Sequence, residues 1–356
     1  MMKKKSVNIG YVGFGRVVQW QIKQVKKLNI NVKLICDNCE EKLNNAKKLI
    51  PSAKLYLDLE QMLNDPTLPE LEYVVIATPS GSHYKIAYLI SKYKSWNIII
   101  EKPTFLKAID FKNAELWENK IIPIFQNRYN KSVIKAKEII DNNDLGDITH
   151  ASLYLDWSRP QRYYDQASWR GTWSEDGGVS TNQGIHYFDI LRHLLGGFSS
   201  VTAKMKRLAA NIECEDYLVA IFEMSSGIPV DLRMTTALRH NEEEASLTIN
   251  GSNGSLKLHG VCCNNLSIVI GSNTSNYQED VEIAYGYGHK DFFRLISGET
   301  PNSSIKLPTL EESFLTMQFI YSCYCSAISG NKSFPKQNYP DVPLGSIKKE
   351  EVIFAK

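Results

Sequence analysis

The sequence has little of what marks several large classes of protein. Its formal net charge is only +2 over 356 residues, so it carries no general electrostatic drive toward nucleic acid or a membrane surface. No apolar run approaches the roughly 20 residues that a membrane helix requires. The basic tip MKKK is followed by VNIGYVGFG rather than by the apolar core of a signal peptide. We therefore expect a cytoplasmic protein that binds neither nucleic acid nor membrane.

Cysteine is also scarce, with seven residues in the chain. Cys36 and Cys39 form a C-x-x-C pair, but a structural zinc site needs a second pair at a set spacing or supporting histidines. Cys36 lies in an apolar segment, which favours a reduced thiol. The cysteine pattern predicts neither a disulfide framework nor a metal site.

Short apolar segments alternate with helical patterns over the first third of the chain. The predicted buried strands are residues 7–14, 32–36, 72–77, 97–100 and 121–125. Helical patterns occupy residues 15–27, 40–49 and 83–93. This alternation predicts a doubly wound parallel sheet with helices on both faces.

The pattern changes after residue 128. Helical patterns at 133–142, near 182–194 and at 309–328 enclose a series of strands between 201 and 270. Alternating polar and apolar residues in these strands favour an open, mainly antiparallel sheet with one wet face. The polar, proline-containing segment 333–356 is expected to be a strap or partly disordered. Because a single core rarely grows to this length, we predict an α/β dinucleotide-binding domain over residues 1–128 and an α+β domain over residues 129–356.

Two glycines lie where the first strand should turn into its helix. Gly13 suits a tight turn, and Gly15 lets the backbone approach a pyrophosphate at the helix N-terminus. Val18 stands where a third glycine is usual. Asp37 ends the second strand, where a carboxylate accepts hydrogen bonds from the adenosine ribose and repels a 2′-phosphate. The pattern predicts NAD rather than NADP, although Asp37 also suits a helix N-cap.

Two further polar segments fall at predicted strand ends. They are the run Thr78 to His83 and the tripeptide Glu101-Lys102-Pro103. Ligands of open α/β sheets bind at the carboxyl ends of the strands. Lys102, held just before a proline, is therefore predicted to lie in the site.

A polar stripe marks the helix near residue 185. Asn182, His186, Asp189 and His193 are spaced four, three and four residues apart and so share one helical face. A solvent-facing stripe would more usually carry Lys and Glu, so this one favours an enclosed polar site. A cation held by His186, Asp189 and His193 is an alternative, and His193 also suits a structural role at the helix end near Gly196.

The segment before this helix is rich in guanidinium groups and aromatic rings. Arg159, Arg162, Tyr163 and Tyr164 come first, and Trp169-Arg170 follows. Guanidinium groups bind carboxylates and phosphates in a bidentate manner, and aromatic rings stack on sugars or uracil. Together with the predicted dinucleotide domain, these residues indicate an enzyme that acts on a charged sugar.

Several motifs resemble the Gfo/Idh/MocA family of oxidoreductases over nearly the whole chain. They are IGYVGFGRV, LICDN, VVIATPSGSHYKIA, IIIEKP, DGGVSTNQGIHYFDILRHLLGG and CEDYLVAIFEMSSG. A narrower resemblance, to the UDP-N-acetylglucosaminuronate 3-dehydrogenases (the WlbA/WbpB type), is carried by IFQNRYN, WSRPQRYYDQASWRGTW, TNQGIH and YGYGHKDFF. That branch often has Asn where the wider family has Asp, as Asn182 is here. The first helix, RVVQWQIKQ, departs from the pattern because it lacks the His or Asn that many relatives carry.

The resemblance implies a Rossmann domain with tightly held NAD and a C-terminal sheet that builds a homo-oligomer, a tetramer or a dimer. It also implies oxidation of the 3″-hydroxyl of a UDP-N-acetylhexosaminuronic acid in lipopolysaccharide (O-antigen) sugar synthesis, with NADH recycled by 2-oxoglutarate as co-substrate. Two alternatives stay open: another sugar or cyclitol dehydrogenase of the family, and a non-catalytic regulator that senses NAD or sugar. The presence of both Lys102 and His186 argues against the regulator.

Oxidation of a secondary alcohol needs a base for the hydroxyl proton and a positive group near the developing alkoxide. We assign the base to His186 and the positive group to Lys102, which becomes the alternative base if burial lowers its pKa. Asn182 is expected to hold the sugar ring, and Asp189 to orient the helix or the imidazole. The predicted cofactor-binding residues are Gly13, Phe14, Gly15, Arg16, Val17, Asp37, Thr78, Pro79, Ser82, His83, Glu101, Lys102, Gln126, Trp169 and Arg170. The predicted substrate-binding residues are Lys102, Arg128, Tyr129, Arg159, Tyr163, Tyr164, Asn182, Gln183, His186 and Arg239.

Overall fold

The computed structural model describes residues 6–239, 244–299, 305–339 and 343–346, with the backbone alone over 283–287. The chain divides into two compact units. The described residues within Met1–Leu106, Asp110–Gln126 and Gly286–Ser313 form the first unit, and those within Lys107–Ile109, Asn127–Tyr285 and Phe314–Lys356 form the second. The division at 126/127 lies beside the predicted boundary, but residues 286–313 return to the first unit.

The first unit contains a parallel sheet. Its strands are β1 (Val7–Val12), β2 (Ile30–Cys36), β3 (Lys54–Tyr56), β4 (Tyr73–Ile76), β5 (Asn97–Ile100) and β6 (Ile121–Pro123), in the order β3-β2-β1-β4-β5-β6. The helices between these strands are α1 (Arg16–Val25), α2 (Glu40–Leu49), α3 (Leu59–Asn64), α4 (His83–Tyr93) and α5 (Ala108–Ala114). All neighbouring strands pair in parallel, which confirms the predicted doubly wound sheet.

The strands of this sheet are apolar on both faces. Ile98, Ile99 and Ile100 in β5 are all fully buried, because parallel sheets of this kind are covered by helices on each side. The chain runs from β1 outward to β3 and then returns to β4 on the other side of β1. This reversal places a topological switch point between β1 and β4, where such sheets bind ligands.

The second unit contains an eight-stranded, mainly antiparallel sheet. Its strands are β7 (Ile148–Asp156), β8 (Phe198–Lys206), β9 (Tyr217–Met224), β10 (Pro229–Thr235), β11 (Glu244–Gly251), β12 (Gly254–His259), β13 (Asn265–Ile270) and β14 (Asn273–Gln278), in the order β14-β13-β12-β11-β7-β10-β9-β8. Only β7 and β10 pair in parallel among the described neighbours. Its helices are α6 (Lys131–Asp141), α7 (Gln161–Tyr164), α8 (Val179–Asn182) and α9 (Ile185–Leu195), while α10 (Val281–Ile296) and α11 (Leu310–Ser329) each have residues in both units.

One face of this sheet is buried and the other is open. Residues of β9 alternate between the two faces: Phe222 packs against Phe188 of α9 and Phe319 of α11, with ring centroids 6.2 and 5.2 Å away. Val219 and Ile221 point the other way and are 37% and 64% exposed. The predicted α+β domain with an open sheet is therefore confirmed.

The predicted helix near residues 182–194 is divided into two. Asn182 ends α8, and His186 lies in the first turn of α9. Between them the Gly184 N–H donates to the Val179 carbonyl, five residues back, at 2.7 Å. This wider turn interrupts the regular four-residue hydrogen bonding, so the polar stripe belongs to two helices and the prediction of one continuous helix was wrong.

The described part of the C-terminal segment is a strap across the second unit. Ser333 and Val201 exchange backbone hydrogen bonds of 2.8 Å, and the Gly345 N–H donates to the Trp173 carbonyl at 2.6 Å. Residues 340–342 and 347–356 of this predicted segment lie outside the described residues. Within the described chain, no helix combines the length and hydropathy needed to cross a bilayer.

Candidate functional site

The two glycines of the first turn have different surroundings. Gly13 has a φ of +96°, and a Cβ there would lie 2.5 Å from the Ala77 carbonyl oxygen, so a larger residue does not fit. Gly15 is the N-cap of α1 and makes no side-chain cap, and a Cβ added to it would meet no atom within 4 Å. An open, uncapped helix N-terminus is suited to an anionic pyrophosphate.

Asp37 is buried at the end of β2 and braces the same turn. Its carboxylate accepts a hydrogen bond of 2.7 Å from the Phe14 N–H and one of 3.0 Å from the Cys39 N–H. The Lys42 ammonium lies 3.4 Å from it. The carboxylate thus holds the glycine turn to the neighbouring strand end, which was not predicted, while its contact with a ribose stays a prediction.

The two predicted strand-end segments are joined by the buried His83 ring. Its Nδ1 lies 2.9 Å from the Pro103 carbonyl oxygen and its Nε2 lies 2.9 Å from that of Thr78. Burial lowers the pKa of this imidazole. Within the first segment, the Thr78 and Ser82 hydroxyls are 2.7 Å apart and Ser82 donates to the Pro79 carbonyl. His83 therefore fixes the segment that carries Lys102 to the one that follows β4.

Glu101 is buried beside Lys102. It accepts hydrogen bonds from the Gln21 amide at 2.5 Å and from the Lys102 backbone N–H at 3.2 Å. Burial raises the pKa of Glu101 to about 7, opposed by the Lys102 charge. Lys102 itself is half-buried and precedes a cis proline. Gln21 was not predicted as a site residue, although its polar side chain lies on the buried side of α1 with Val18 and Ile22.

The other predicted cofactor residues of the first unit vary in exposure. Phe14 and Gln126 are buried, Val17 is half-buried and Arg16 is exposed in the first turn of α1. Gln126 begins a short 3-10 helix that runs to Tyr129. The residues that surround the glycine turn thus fit a dinucleotide, with Asp37, Gly13 and Gly15 as its main supports.

Asn182 is held from the loop before α8. Its amide Nδ2 donates a hydrogen bond of 2.7 Å to Oδ1 of Asp176, whose other oxygen accepts one of 2.9 Å from the Gly171 N–H. Asp176 is buried, whereas Asn182 and His186 are half-buried. Gln183, between the two helices, is buried. Asn182 and His186 therefore lie on successive short helices whose first member is fixed by Asp176.

Asp189, one turn after His186, forms a buried ion pair with Arg128. The carboxylate accepts hydrogen bonds from Nε of Arg128 at 2.6 Å, from Nη2 of Arg128 at 2.5 Å and from the Thr316 hydroxyl at 3.0 Å. Of the two predicted roles for Asp189, the geometry supports the anchoring of the helix. The neighbouring Tyr129 is 1% exposed. Two donors of Arg128 face this carboxylate, and its predicted role in substrate binding stays a prediction.

His193 lies on the same helix. Burial, and then the Arg128 charge, lower its pKa to about 4. No group of three or more His, Cys, Asp or Glu side chains within the described chain is arranged to hold a metal ion. The carboxylate that the metal alternative needs, that of Asp189, bonds to Arg128 and Thr316 instead.

The predicted cationic and aromatic residues form an alternating stack, here called the Arg–aromatic stack, of Trp157, Arg159, Tyr163, Arg170 and Trp169. The Arg159 guanidinium carbon lies 4.8 Å from the Trp157 ring centroid and 5.0 Å from that of Tyr163. The Arg170 carbon lies 4.2 Å from Tyr163 and 5.0 Å from Trp169. Each guanidinium is thus within cation–π distance of two aromatic rings.

Two predicted substrate residues lie beside or beyond this stack. The Tyr164 hydroxyl is buried 3.1 Å from that of Thr236, and burial raises its pKa. Arg239 is exposed, just after β10. Tyr164 therefore contributes to the packing beneath Tyr163, whose ring it contacts edge-on.

Besides Asp176, the buried carboxylate of Glu215 also supports α8. It accepts hydrogen bonds from the Ser180 backbone N–H at 3.0 Å, from the Ser180 hydroxyl at 2.5 Å and from the Tyr324 hydroxyl at 2.7 Å. Burial raises its pKa. The sequence analysis gave no role to Glu215 or to Asp176, because a lone acidic residue has no local signal for its partner.

Two family models match the chain. Residues 7–117 match the model described as "Oxidoreductase family, NAD-binding Rossmann fold", and residues 133–257 match the one described as "GFO/IDH/MocA C-terminal domain". The first match covers five of the six parallel strands with the glycine turn and Lys102, and the second covers most of the antiparallel sheet with Asn182 and His186.

Similar proteins of known structure include two sugar-nucleotide-bound dehydrogenases. The WlbA dehydrogenase from Bordetella pertussis, solved in complex with NADH and UDP-GlcNAcA, is 26% identical, covers 94% of this chain and 99% of its own, and has a TM-score of 0.81. The WlbA dehydrogenase from Chromobacterium violaceum, with the same two ligands, is 26% identical, covers 95% and 98%, and has a TM-score of 0.82.

Among curated relatives, the scyllo-inositol 2-dehydrogenase (NADP(+)) IolW of Bacillus subtilis (strain 168) is 26% identical over 222 residues. The aligned part is 60% of this chain and 59% of that protein, so the chain spans about three fifths of the length of this relative. The two family matches, the glycine turn and the strand-end lysine agree with one another: the chain belongs to the Gfo/Idh/MocA family of oxidoreductases and carries its NAD-binding Rossmann domain.

Proposed function

We propose that the protein is an NAD-dependent dehydrogenase that oxidises the 3″-hydroxyl of a UDP-N-acetylhexosaminuronic acid, in the synthesis of lipopolysaccharide (O-antigen) sugars. The observation that carries this proposal is the similarity, over 94% of the chain, to a dehydrogenase solved with NADH and UDP-GlcNAcA. The Arg–aromatic stack adds support, since guanidinium groups suit a substrate that is a polyanion.

The chemistry divides between two residues. NAD, held at the turn of Gly13 and Gly15 beside Asp37, would supply the acceptor for the hydride of the sugar carbon. The His186 imidazole, a base suited to neutral pH, takes the hydroxyl proton. Lys102 stabilises the negative charge that grows on the sugar oxygen as the proton leaves. Asn182 holds the pyranose, and His83 fixes the loop on which Lys102 lies.

The Arg–aromatic stack supplies groups for the charged parts of the substrate. Arg159 is offered to the carboxylate or phosphates, since a guanidinium whose face stacks on a ring still hydrogen-bonds in its plane, as Arg159 does to the Ser158 carbonyl. Arg170, predicted to bind the cofactor, is its neighbour in the Arg–aromatic stack. Tyr163, between them, keeps the two cations apart. We expect these contacts to raise the affinity for the substrate more than the rate of the chemical step.

The test is mass spectrometry of UDP-N-acetylglucosaminuronic acid incubated with the NAD-loaded protein, with and without 2-oxoglutarate. We expect a product lighter by two hydrogens that accumulates only with 2-oxoglutarate, because the oxoacid regenerates NAD on the enzyme. Lys102→Met and His186→Asn should each lower turnover about a hundredfold or more. No conversion by folded, NAD-loaded protein would reject the proposal.

A second candidate is a cyclitol dehydrogenase, which the similarity to an inositol dehydrogenase favours. Thermal stability separates the two, because a ligand that binds only the folded protein raises its melting temperature. UDP alone should raise the melting temperature if the site takes nucleotide sugars. Stabilisation by inositols with no response to UDP would favour the cyclitol enzyme.

A further inference from the structure

Asp176 connects two groups of predicted site residues in the second unit. Its Oδ2 accepts the Gly171 N–H, directly after Arg170 of the Arg–aromatic stack, and its Oδ1 accepts the Asn182 amide. The carboxylate is 4% exposed. Gly171 has a φ of +68°, and a Cβ there would lie 2.7 Å from Ile212. The turn that carries Arg170 is therefore tightly determined, and Asp176 ties it to the end of α8.

A carboxylate at this position settles the orientation of the Asn182 amide. Only the NH2 group of an amide can donate to a carboxylate, so Nδ2 faces Asp176 and Oδ1 occupies the other end of the side chain. An amide free to rotate would instead offer either a donor or an acceptor at that end. Asp176 thus determines which polar atom Asn182 presents away from it.

We propose that Asp176 is a positioning residue that holds Asn182 with its oxygen toward the sugar, so that position 182 serves as a hydrogen-bond acceptor for a substrate hydroxyl. The inference rests on the proposed function, because it concerns how the same site holds its sugar. It assigns to the Asp-Gly-Gly sequence before α8 a role in substrate orientation in addition to its turn geometry.

Four variants test this role by their hydrogen-bonding capacity. In Asp176→Asn, one amide oxygen replaces two carboxylate oxygens, so the side chain can accept from Gly171 or from Asn182 but not from both. In Asn182→Asp, two carboxylates face each other across 2.7 Å and repel. In the double variant Asp176→Asn/Asn182→Asp, the new amide accepts from Gly171 and donates to the new carboxylate, which again presents an oxygen to the sugar. The matched control is Asp165→Asn. Asp165 is an exposed residue of the same segment, and among the described residues its carboxylate accepts a hydrogen bond only from the Gln161 amide.

The measurement is kcat and KM per NAD-loaded site with UDP-N-acetylglucosaminuronic acid, together with the melting temperature of each protein. Each single variant should lower kcat/KM at least about tenfold, as loss of a hydrogen bond to a charged group does. The double variant should recover to within about threefold of the wild type, and the control should be unchanged.

The results separate orientation from folding and from the proposed function. A residue that only stabilises the fold would lower the melting temperature and leave kcat and KM per loaded site at wild-type values, which would overturn the inference. A double variant no better than the single variants would overturn it as well, because position 182 would then need its amide donor. A wild-type protein that neither binds nor oxidises the sugar would reject the proposed function, and this inference with it.

Discussion

At the scale of single residues, Glu101 is the least expected feature of the first unit. Its carboxyl group is buried among Gln21, Tyr11 and the Lys102 backbone, and burial raises its pKa to about 7. Its usual pKa is near 4.5. The folded protein therefore binds a proton at Glu101 more tightly than the unfolded chain does.

The sign of the resulting pH dependence follows from this difference. The stabilisation from protonated Glu101 is fully present below about pH 4.5 and is lost as the pH rises through about 7. Glu101→Gln has no group that titrates, so its melting temperature relative to the wild type should increase between pH 5 and pH 8. The underlying free energy changes by at most about 1.4 kcal/mol per pH unit. Melting curves at both pH values check this, and the exposed Glu60→Gln should show no such trend; a parallel trend in both variants would contradict the assignment.

The residue types at the site could be predicted from the sequence, but their partners could not. Gly13, Asp37 and Lys102 were identified from strand ends, because the fold puts strand ends together. The ion pair of Arg128 was not predicted, since Asp189 is 61 residues away; Asp176 was not predicted either, although Gly171 and Asn182 are only five and six residues away. Such pairings depend on tertiary packing, which leaves no periodic signal in the sequence.

At the scale of elements, α9 depends on one buried ion pair. Arg128 and Asp189 are 6% and 2% exposed and form two parallel hydrogen bonds. The Thr316 hydroxyl of α11 donates a further hydrogen bond to the Asp189 carboxylate. The helix that carries His186 is thus fixed by a polar contact within an otherwise apolar interface of phenylalanines.

Arg128→Met should destabilise the protein strongly, because it leaves the Asp189 carboxylate buried without its cation. Loss of one partner of a buried pair costs about 3–5 kcal/mol, whereas replacement of both by apolar residues is often nearly neutral. We therefore expect a large fall in melting temperature for Arg128→Met and a smaller one for Arg128→Met/Asp189→Leu. Equal melting temperatures for Arg128→Met and the wild type, with a raised KM, would show instead that Arg128 serves the substrate.

The elements themselves were predicted well where their pattern is long and regular. Five of the six parallel strands follow clear apolar runs, and α4 and α11 follow clear helical ones. The short β3, α3 and α5 were missed because three to seven residues hold too little pattern, and the longer β7, β14 and α10 were not predicted either. The break between α8 and α9 was also missed, since it depends on the hydrogen bond from Gly184 to Val179 and not on a helix-breaking residue such as proline.

At the scale of the whole molecule, the open face of the eight-stranded sheet carries several exposed apolar side chains among charged ones. Ile221 is 64% exposed, Val269 39%, and Val219 and Tyr154 37% each. Large apolar side chains exposed on one face of a sheet are suited to an interface between chains. We propose that a second copy of the chain covers this face, as the resemblance to oligomeric relatives implies.

Ile221→Glu should therefore shift the protein toward the monomer. A carboxylate buried in an interface must lose its hydration, and in a two-fold dimer the interface carries two of them. Analytical ultracentrifugation at several concentrations measures the effect. Ile328→Glu is the control, because Ile328 is comparably exposed, at 55%, but lies on α11 and not on the sheet. An unchanged sedimentation coefficient for Ile221→Glu would place the interface elsewhere.

The return of residues 286–313 to the first unit sets how the gene can be divided. A fragment that stops at residue 126 contains all six parallel strands and the glycine turn, yet it lacks a segment that belongs to the same compact unit. The cofactor-binding half is therefore complete on the ribosome only after nearly the whole chain has been made. The end of β6 is therefore a poor place to divide the gene, because the described residues between 286 and 313 would be left on the other fragment.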